Sequence, residues 1–124
     1  MSSESLHAPR DRLSRETIDA HQAIVSLMEE LDAVDWYRQR ADDCDDPALK
    51  EILLHNMREE VEHAAMLLEW LRRHSPVFDR ELRARLFTEG AIVVDEDEAP
   101  APAPAPSRPA APRGFTIGSM KEAP

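Results

Sequence analysis

Glu60-Val61-Glu62-His63 lies inside a long stretch of helical periodicity and decides how that stretch is read. On an α-helix Glu60 and His63 stand three residues apart and share a face. A carboxylate beside an imidazole can grip a transition-metal ion, and helical bundles use Glu-x-x-His to do so. The tetrapeptide alone is a weak signal, because Glu and His are ordinary helix residues. Its position gives it weight. The line through it reads Leu49, Leu53, Asn56, Glu60, His63, Leu67, Trp70, stepping by four and three, as in a seam between packed helices. The ends of that line are apolar and its centre is polar, on a face expected to be apolar throughout.

Working outward, this helix is predicted over about Pro47 to Arg73. Asp45 or Asp46 can cap it, and Pro47 suits its first position. Arg72, Arg73 and His74 suit its C-terminus, and Pro76 stops it. An earlier helix is predicted from Arg12–Ser14 to about Asp42, with Ser14 as a possible N-cap and no Pro or Gly inside. Ala20, Ile24, Leu27, Leu31 and Val34 recur along it at helical spacing. The neighbouring line is Ala23, Leu27, Glu30, Val34, Tyr37, so Glu30 is a carboxylate set in an apolar stripe. The short connection Asp42-Asp43-Cys44-Asp45-Asp46-Pro47 implies an antiparallel hairpin. Pro76 to Phe87 reads as a short third helix with Val77, Phe78, Leu82 and Leu86 as its stripe and Gly90 as its C′ residue.

The organisation expected is therefore all-α: a flexible N-terminus over 1–11, a helical region over 12–90, a linker over 91–113 and a distinct terminal peptide over 114–124. Six of the ten prolines fall between Pro100 and Pro112, so the acidic and then Ala/Pro-rich linker builds no core and favours extended polyproline geometry. Its 19 residues from Asp95 to Arg113 would reach up to about 60 Å at roughly 3.1 Å each. The tail is expected to be disordered. Phe115-Thr116-Ile117-Gly118-Ser119-Met120 departs from the linker's composition. In an extended chain Phe115 and Ile117 point the same way and Gly118 permits a close turn, which suits docking into an apolar groove.

The charge balance excludes several partners. With 25 acidic residues against 15 basic, net −10, the chain suits cations and not nucleic acid or an anionic membrane. No apolar run approaches the ~18 residues of a membrane span. Met1 to Arg15 is polar and lacks the apolar core of a signal peptide. The single cysteine, Cys44, forms no internal disulfide, as a reduced cytosol predicts, and reads as a bystander in an acidic loop. Some 80 helical residues make only a small core, so help from oligomerisation or a metal is expected.

A seam holding Glu30 and Glu60 must offset the several kcal/mol that an unpartnered buried carboxylate costs. An ion pair is one answer, but the seam carries no Lys or Arg. Rotation of the helices so that the polar centre meets water is a second. A cation held between helices is the third, and two carboxylates with one imidazole suit iron, manganese or zinc. Counting donors sharpens this third reading. A di-metal bundle site takes a Glu from each of two helices and a Glu-x-x-His from each of two others. Glu30, Glu60 and His63 are half of that set. Two copies about a two-fold axis would complete it, as an obligate dimer forming a four-helix bundle.

Met28-Glu29-Glu30-Leu31-Asp32-Ala33-Val34-Asp35-Trp36-Tyr37 resembles the encapsulated ferritin family. So do His55-Asn56, Glu59-Glu60-Val61-Glu62-His63-Ala64-Ala65-Met66, Leu68-Glu69-Trp70-Leu71-Arg72-Arg73 and Leu86-Phe87-Thr88-Glu89-Gly90. The resemblance covers about Thr17 to Gly90. The peptide Phe115 to Met120 is similar to the cargo-loading peptides by which such proteins enter encapsulin shells. The resemblance implies a ferritin-like bundle in which Glu30, Glu60 and His63 are ferroxidase ligands paired across a dimer. It implies two iron ions (Fe²⁺/Fe³⁺) per dimer, and Glu29 and Asp32 as acidic residues that bind incoming metal. The family pattern often has Glu where this chain has Asp32. Trp36 and Tyr37 match aromatics near the site. A decamer of five dimers, oxidation of Fe²⁺ by O₂, a cytoplasmic location inside an encapsulin nanocompartment and storage of the mineral by the shell are further implications.

Other readings stay beside these. The chief rival is a non-catalytic assembly module whose site binds a structural ion such as Zn²⁺ or Ca²⁺, tethered to a partner by the tail. A di-metal oxidase acting on peroxide is another alternative. His55 lies off the seam, and His7, His21 and His74 have no carboxylate at a telling spacing. Glu59 and Glu62 read as a solvated flank and Trp70 as core, while Asp42, Asp43, Asp45 and Asp46 could attract iron but more commonly form a capping loop. Tyr37 reads as core or as a hydrogen-bond partner of a ligand carboxylate, the second preferred.

Overall fold

The structure, a computed structural model, describes residues 5–93. After a 3₁₀ turn at Arg10–Arg12 come three helices: α1 (Arg15–Asp43), α2 (Pro47–His74) and α3 (Pro76–Arg85). There is no strand among the described residues. The all-α expectation and the three-helix order hold, each helix boundary falling within a few residues of its predicted place. The last described residue is Val93, so most of the linker and the peptide from Gly114 lie outside the described residues.

Local chemistry sets the boundaries. Ser14 is extended, and its Oγ accepts from the Thr17 N–H at 3.1 Å. Asp46 does the same for α2, its carboxylate accepting from the Leu49 N–H at 2.8 Å with Pro47 in the first turn. Each such cap contributes about 1 kcal/mol by satisfying a donor the helix leaves open. Only Cys44, Asp45 and Asp46 separate α1 from α2, so the two helices fold back on each other as a hairpin.

Small residues bring the hairpin together. Among the described residues the buried apolar ones are Ile18, Ala23, Ala41, Ala64 and Leu71. Ala23 and Ala41 stand eighteen residues apart, about five turns, and so share one face of α1. Ala64 and Leu71, seven apart, share one face of α2. Alanines on both helices allow close approach but bury little area. Leu71, 2 % exposed, is the one large side chain among the described residues that is fully buried. Ile24, Leu31, Leu49, Ile52, Val61 and Met66 remain exposed on a single copy. One chain therefore leaves much of its apolar surface uncovered.

Trp70, expected in the core, is half-buried, and the ring of His74 stacks on it with centroids 3.8 Å apart. His74 Nδ1 also lies 2.8 Å from the Trp70 carbonyl oxygen. The corner between α2 and α3 is held by charge. Arg72 grips Glu69 with Nε and Nη2, each at 2.7 Å, and reaches across the corner with Nη1 to Asp79. Arg73 Nε adds a bond to Glu69 at 2.7 Å. Hydrogen bonds from Arg72 and then Arg73 pull the Glu69 carboxyl down to about 2. A depressed carboxylate stabilises the fold above its ordinary pKa and stops doing so only as pH falls towards 2. The Glu69 side chain is 42 % exposed, so solvent screening keeps that contribution below about 1 kcal/mol. Ser75 ends α2 and starts α3, its Oγ accepting from Phe78 N–H at 3.3 Å.

The end of α3 corrects the sequence reading. The helix stops at Arg85 and not at Phe87, and Phe87 itself has φ +60°. Phe87 thus occupies the left-handed position after the helix, the place assigned to Gly90. A bulky residue is strained there. Thr88 closes the same turn, its Oγ1 donating to the Arg85 carbonyl at 2.9 Å. Gly90, with φ +93°, makes a second left-handed residue further on, and a Cβ there would meet open space. The described residues divide after Leu82, 5–82 on one side and 83–93 on the other.

Candidate metal centre

Antiparallel packing of α1 on α2 sets Glu30, from the middle of α1, beside Glu60 and His63, from the middle of α2. One donor atom from each lies within 4.8 Å of the others, the one grouping of this kind among the described residues. His63 Nδ1 is 2.8 Å from Glu60 Oε1 and 3.7 Å from Glu30 Oε2. The first is the i, i+3 contact that the spacing implies. The second joins the two helices.

The three side chains are partly covered. Glu30 keeps 26 % of its side-chain surface, Glu60 22 % and His63 41 %. The carboxylates are withdrawn from bulk water, yet the cluster opens on one side. Desolvation raises the Glu30 pKa, with the hydrogen bond to Glu60 and its charge adding to the rise. His63 is also raised, first by its hydrogen bond to Glu60 and then, against some desolvation, by the charges of Glu30, Glu60 and Glu59. The neighbouring carboxylates thus favour the protonated form of the imidazole. Two oxygens and one nitrogen converging within 4.8 Å make a donor set that fits one divalent transition metal.

That arrangement has a pH consequence. Metal must displace the proton, so affinity falls as pH drops through the His63 pKa, which lies above its ordinary 6.5. The metal-free fold runs the other way. Both groups have raised pKa values, so the folded chain binds more protons than the unfolded one, and their contribution to stability is lost as pH rises through those values. Anaerobic calorimetry of Co²⁺ binding in two buffers should show proton release, with affinity rising as pH is raised through the His63 pKa. An affinity independent of pH would remove His63 from the site.

The remaining sequence candidates lie apart from this cluster. Glu29 and Asp32 are exposed on α1 and belong to no three-donor group. Trp36 is 51 % exposed. Tyr37 is half-buried, with the Arg40 guanidinium 5.5 Å above its ring. In this single copy neither aromatic makes a hydrogen bond to Glu30. His55, Glu59 and Glu62 are exposed on the flank of α2. Cys44 is a free thiol at the hairpin turn, its Sγ 3.6 Å from the Asp46 carbonyl oxygen. No helix among the described residues is long and apolar enough to cross a membrane.

Residues 5–89 match the family model described as EncFtn-like, a span that contains both donor-bearing helices. The chain belongs to the encapsulated ferritin family. It is 57% identical over 95 residues to an "Encapsulated ferritin-like protein" of Rhodospirillum rubrum, covering 77% of this chain and 68% of that protein. A "Ferritin-like protein" of Thermotoga maritima is 46% identical over 94 residues, 76% of this chain and 82% of its own length. A crystal structure of a Nitrosomonas europaea protein superposes with a TM-score of 0.69 at 56% identity, covering 73% of this chain and 99% of that one. The resemblance read from the motifs around Glu30 and Glu60 is therefore a membership. The encapsulated ferritin match ends at residue 89, before the linker and the terminal peptide begin.

Proposed function

We propose that this protein is a ferroxidase that oxidises Fe²⁺ to Fe³⁺ with O₂ at a di-iron site shared by two copies of the chain. The observation that carries this reading is the convergence of Glu30, Glu60 and His63 from two helices, a three-donor set that is half of a carboxylate bundle site. A second copy supplies the other half. Two Glu30 and two Glu60 then carry four negative charges, matching the four positive charges of two Fe²⁺ substrate ions. O₂ takes one electron from each Fe²⁺. The protein supplies position and charge, and no base or nucleophile is required of it. Glu29 and Asp32, exposed on α1 with one turn between them, are proposed to collect incoming Fe²⁺. Trp36 and Tyr37 are proposed to border the assembled site.

The ferroxidase reading is tested by mixing anaerobically Fe²⁺-loaded protein with O₂ and following ferric absorbance. Replacing a direct ligand is expected to cost at least the ~100-fold that removing a supporting residue can. Equal rates for wild type and Glu30→Ala would sink the proposal. In that event the rival assignment, a structural Zn²⁺ or Ca²⁺ bridge in an assembly module, gains support from the exposed apolar surface of the single hairpin.

Oxidised iron is proposed to pass into an encapsulin shell, which stores it, with the protein held inside as cargo in the cytoplasm. The Rhodospirillum rubrum relative is named as encapsulated, and Phe115 to Met120 has the composition of a docking peptide. A ring of five dimers is the proposed assembly. Deleting residues 114–124 should leave the ferric rate unchanged and abolish co-purification with a co-expressed shell. Unchanged shell loading would assign the targeting elsewhere.

A further inference from the structure

We infer that Met66 is an oxidation site of this protein, a thioether placed to take oxygen from hydrogen peroxide formed at the metal centre. This rests on the ferroxidase reading for the source of peroxide and on geometry for the choice of methionine. Met66 follows His63 by three residues on α2, so the two are neighbours on the helix surface, about 5–6 Å apart at Cβ. A helical side chain covers the turn N-terminal to its own Cα. Met66 therefore leans back over the turn that carries His63. On a single copy Met66 is 57 % exposed, and the His63 side chain is 41 % exposed.

The other described methionines are placed differently. Met57 is half-buried and precedes Glu60 by three residues, so its side chain leans away from the site towards the start of α2. Met28 is half-buried, and at two residues before Glu30 it does not share that residue's face. Exposure and direction thus single out Met66.

The chemistry balances. Two Fe²⁺ give two electrons to O₂, which takes up two protons and leaves as H₂O₂. The Met66 sulfur attacks one peroxide oxygen, the O–O bond breaks, and the products are the sulfoxide and water. Sulfur loses two electrons and peroxide gains them. The sulfoxide exchanges an apolar side chain for a polar one. Met66 then acts as a local sink for peroxide beside a ligand.

Two measurements test this on the full chain, both read by peptide mass spectrometry. In the first, limiting H₂O₂ is added to the protein without iron or O₂ turnover. Met66 is expected to gain one oxygen at least several-fold faster than Met57 and Met28. Equal or slower oxidation of Met66 overturns the inference, whatever the fate of the ferroxidase reading. In the second, Fe²⁺-loaded protein turns over with ¹⁸O₂ in ordinary water. Label in the Met66 sulfoxide, in excess of any at Met57 and Met28, is the expected result. Ferric iron without label at Met66 overturns the inference while leaving the ferroxidase intact. If no ferric iron forms, the ferroxidase reading and its peroxide source fail together, and so does this inference.

Discussion

Stripped of divalent metal, the protein should run as a smaller species, and adding Fe²⁺ under nitrogen should convert it to a larger one. The reason is the doubling of charge that the proposed pairing of two copies would bring. One hairpin already holds Glu30 and Glu60 together, with His63 bridging them at 3.7 and 2.8 Å. The Glu30 pKa is raised by burial and by its neighbour before any partner arrives. Two such clusters face to face place four carboxylates in one bundle centre. Each like-charged pair at about 4 Å costs about 4 kcal/mol at an effective dielectric near 20. Two divalent ions remove that cost. A metal present at about 100 times its Kd favours the form that binds it by about 2.7 kcal/mol, roughly a hundredfold, for each ion. Mass photometry or native mass spectrometry reads the outcome. A fully assembled metal-free ring would count against a metal-coupled interface. So would an Fe²⁺ response in a Glu30→Ala, Glu60→Ala double variant.

The second large effect concerns the fold. Leu71→Ala should cost about 2–5 kcal/mol, the range for emptying a large buried aliphatic site. Little else compensates, since the other buried residues among those described are Ile18 and three alanines. For a helical unit of this size the loss corresponds to a fall in Tm of roughly 10–40 °C. Leu31→Ala makes the comparison. Leu31 is 54 % exposed in the single chain, so truncating it should cost the metal-free form under about 1 kcal/mol. It should instead weaken the metal-loaded assembly. Circular dichroism melts of both variants, with and without metal, separate the two roles. A Leu71→Ala melt within a few degrees of wild type would mean that Leu71 is not the anchor of the hairpin.

The predictions rest on features of unequal visibility in the sequence. Helix starts were legible because their causes are local: Ser14 and Asp46 each cap a donor three residues on, and Pro47 fits a first turn. Glu60 and His63 were legible for the same reason, since i, i+3 geometry follows from the helix alone. Glu30 was legible in part. Its place in an apolar stripe marked it as odd, but only the hairpin register could bring it 3.7 Å from His63.

Other features depended on contacts that a linear pattern does not encode. The seam through Leu53, Glu60, His63 and Trp70 reads as the buried face of α2, yet its members are half-buried and the tight contact runs through Ala64 and Leu71. Alanine carries too little hydrophobic signal to announce a packing line. Arg72, read as a cation suited to a helix end, pairs with Asp79 because the Ser75-Pro76 corner turns α3 towards it. The left-handed residue after α3 is Phe87, and no propensity points to phenylalanine over a nearby glycine.

Helix identity, caps, the hairpin and the Glu-x-x-His pair follow from residues within four positions of one another, where backbone geometry leaves few choices. The register of α1 on α2, and with it the meeting of Glu30 and His63, follows from packing small side chains across the 32 residues of chain between them. That choice is made by shape and by the area it buries, quantities that exist only once both helices are in place.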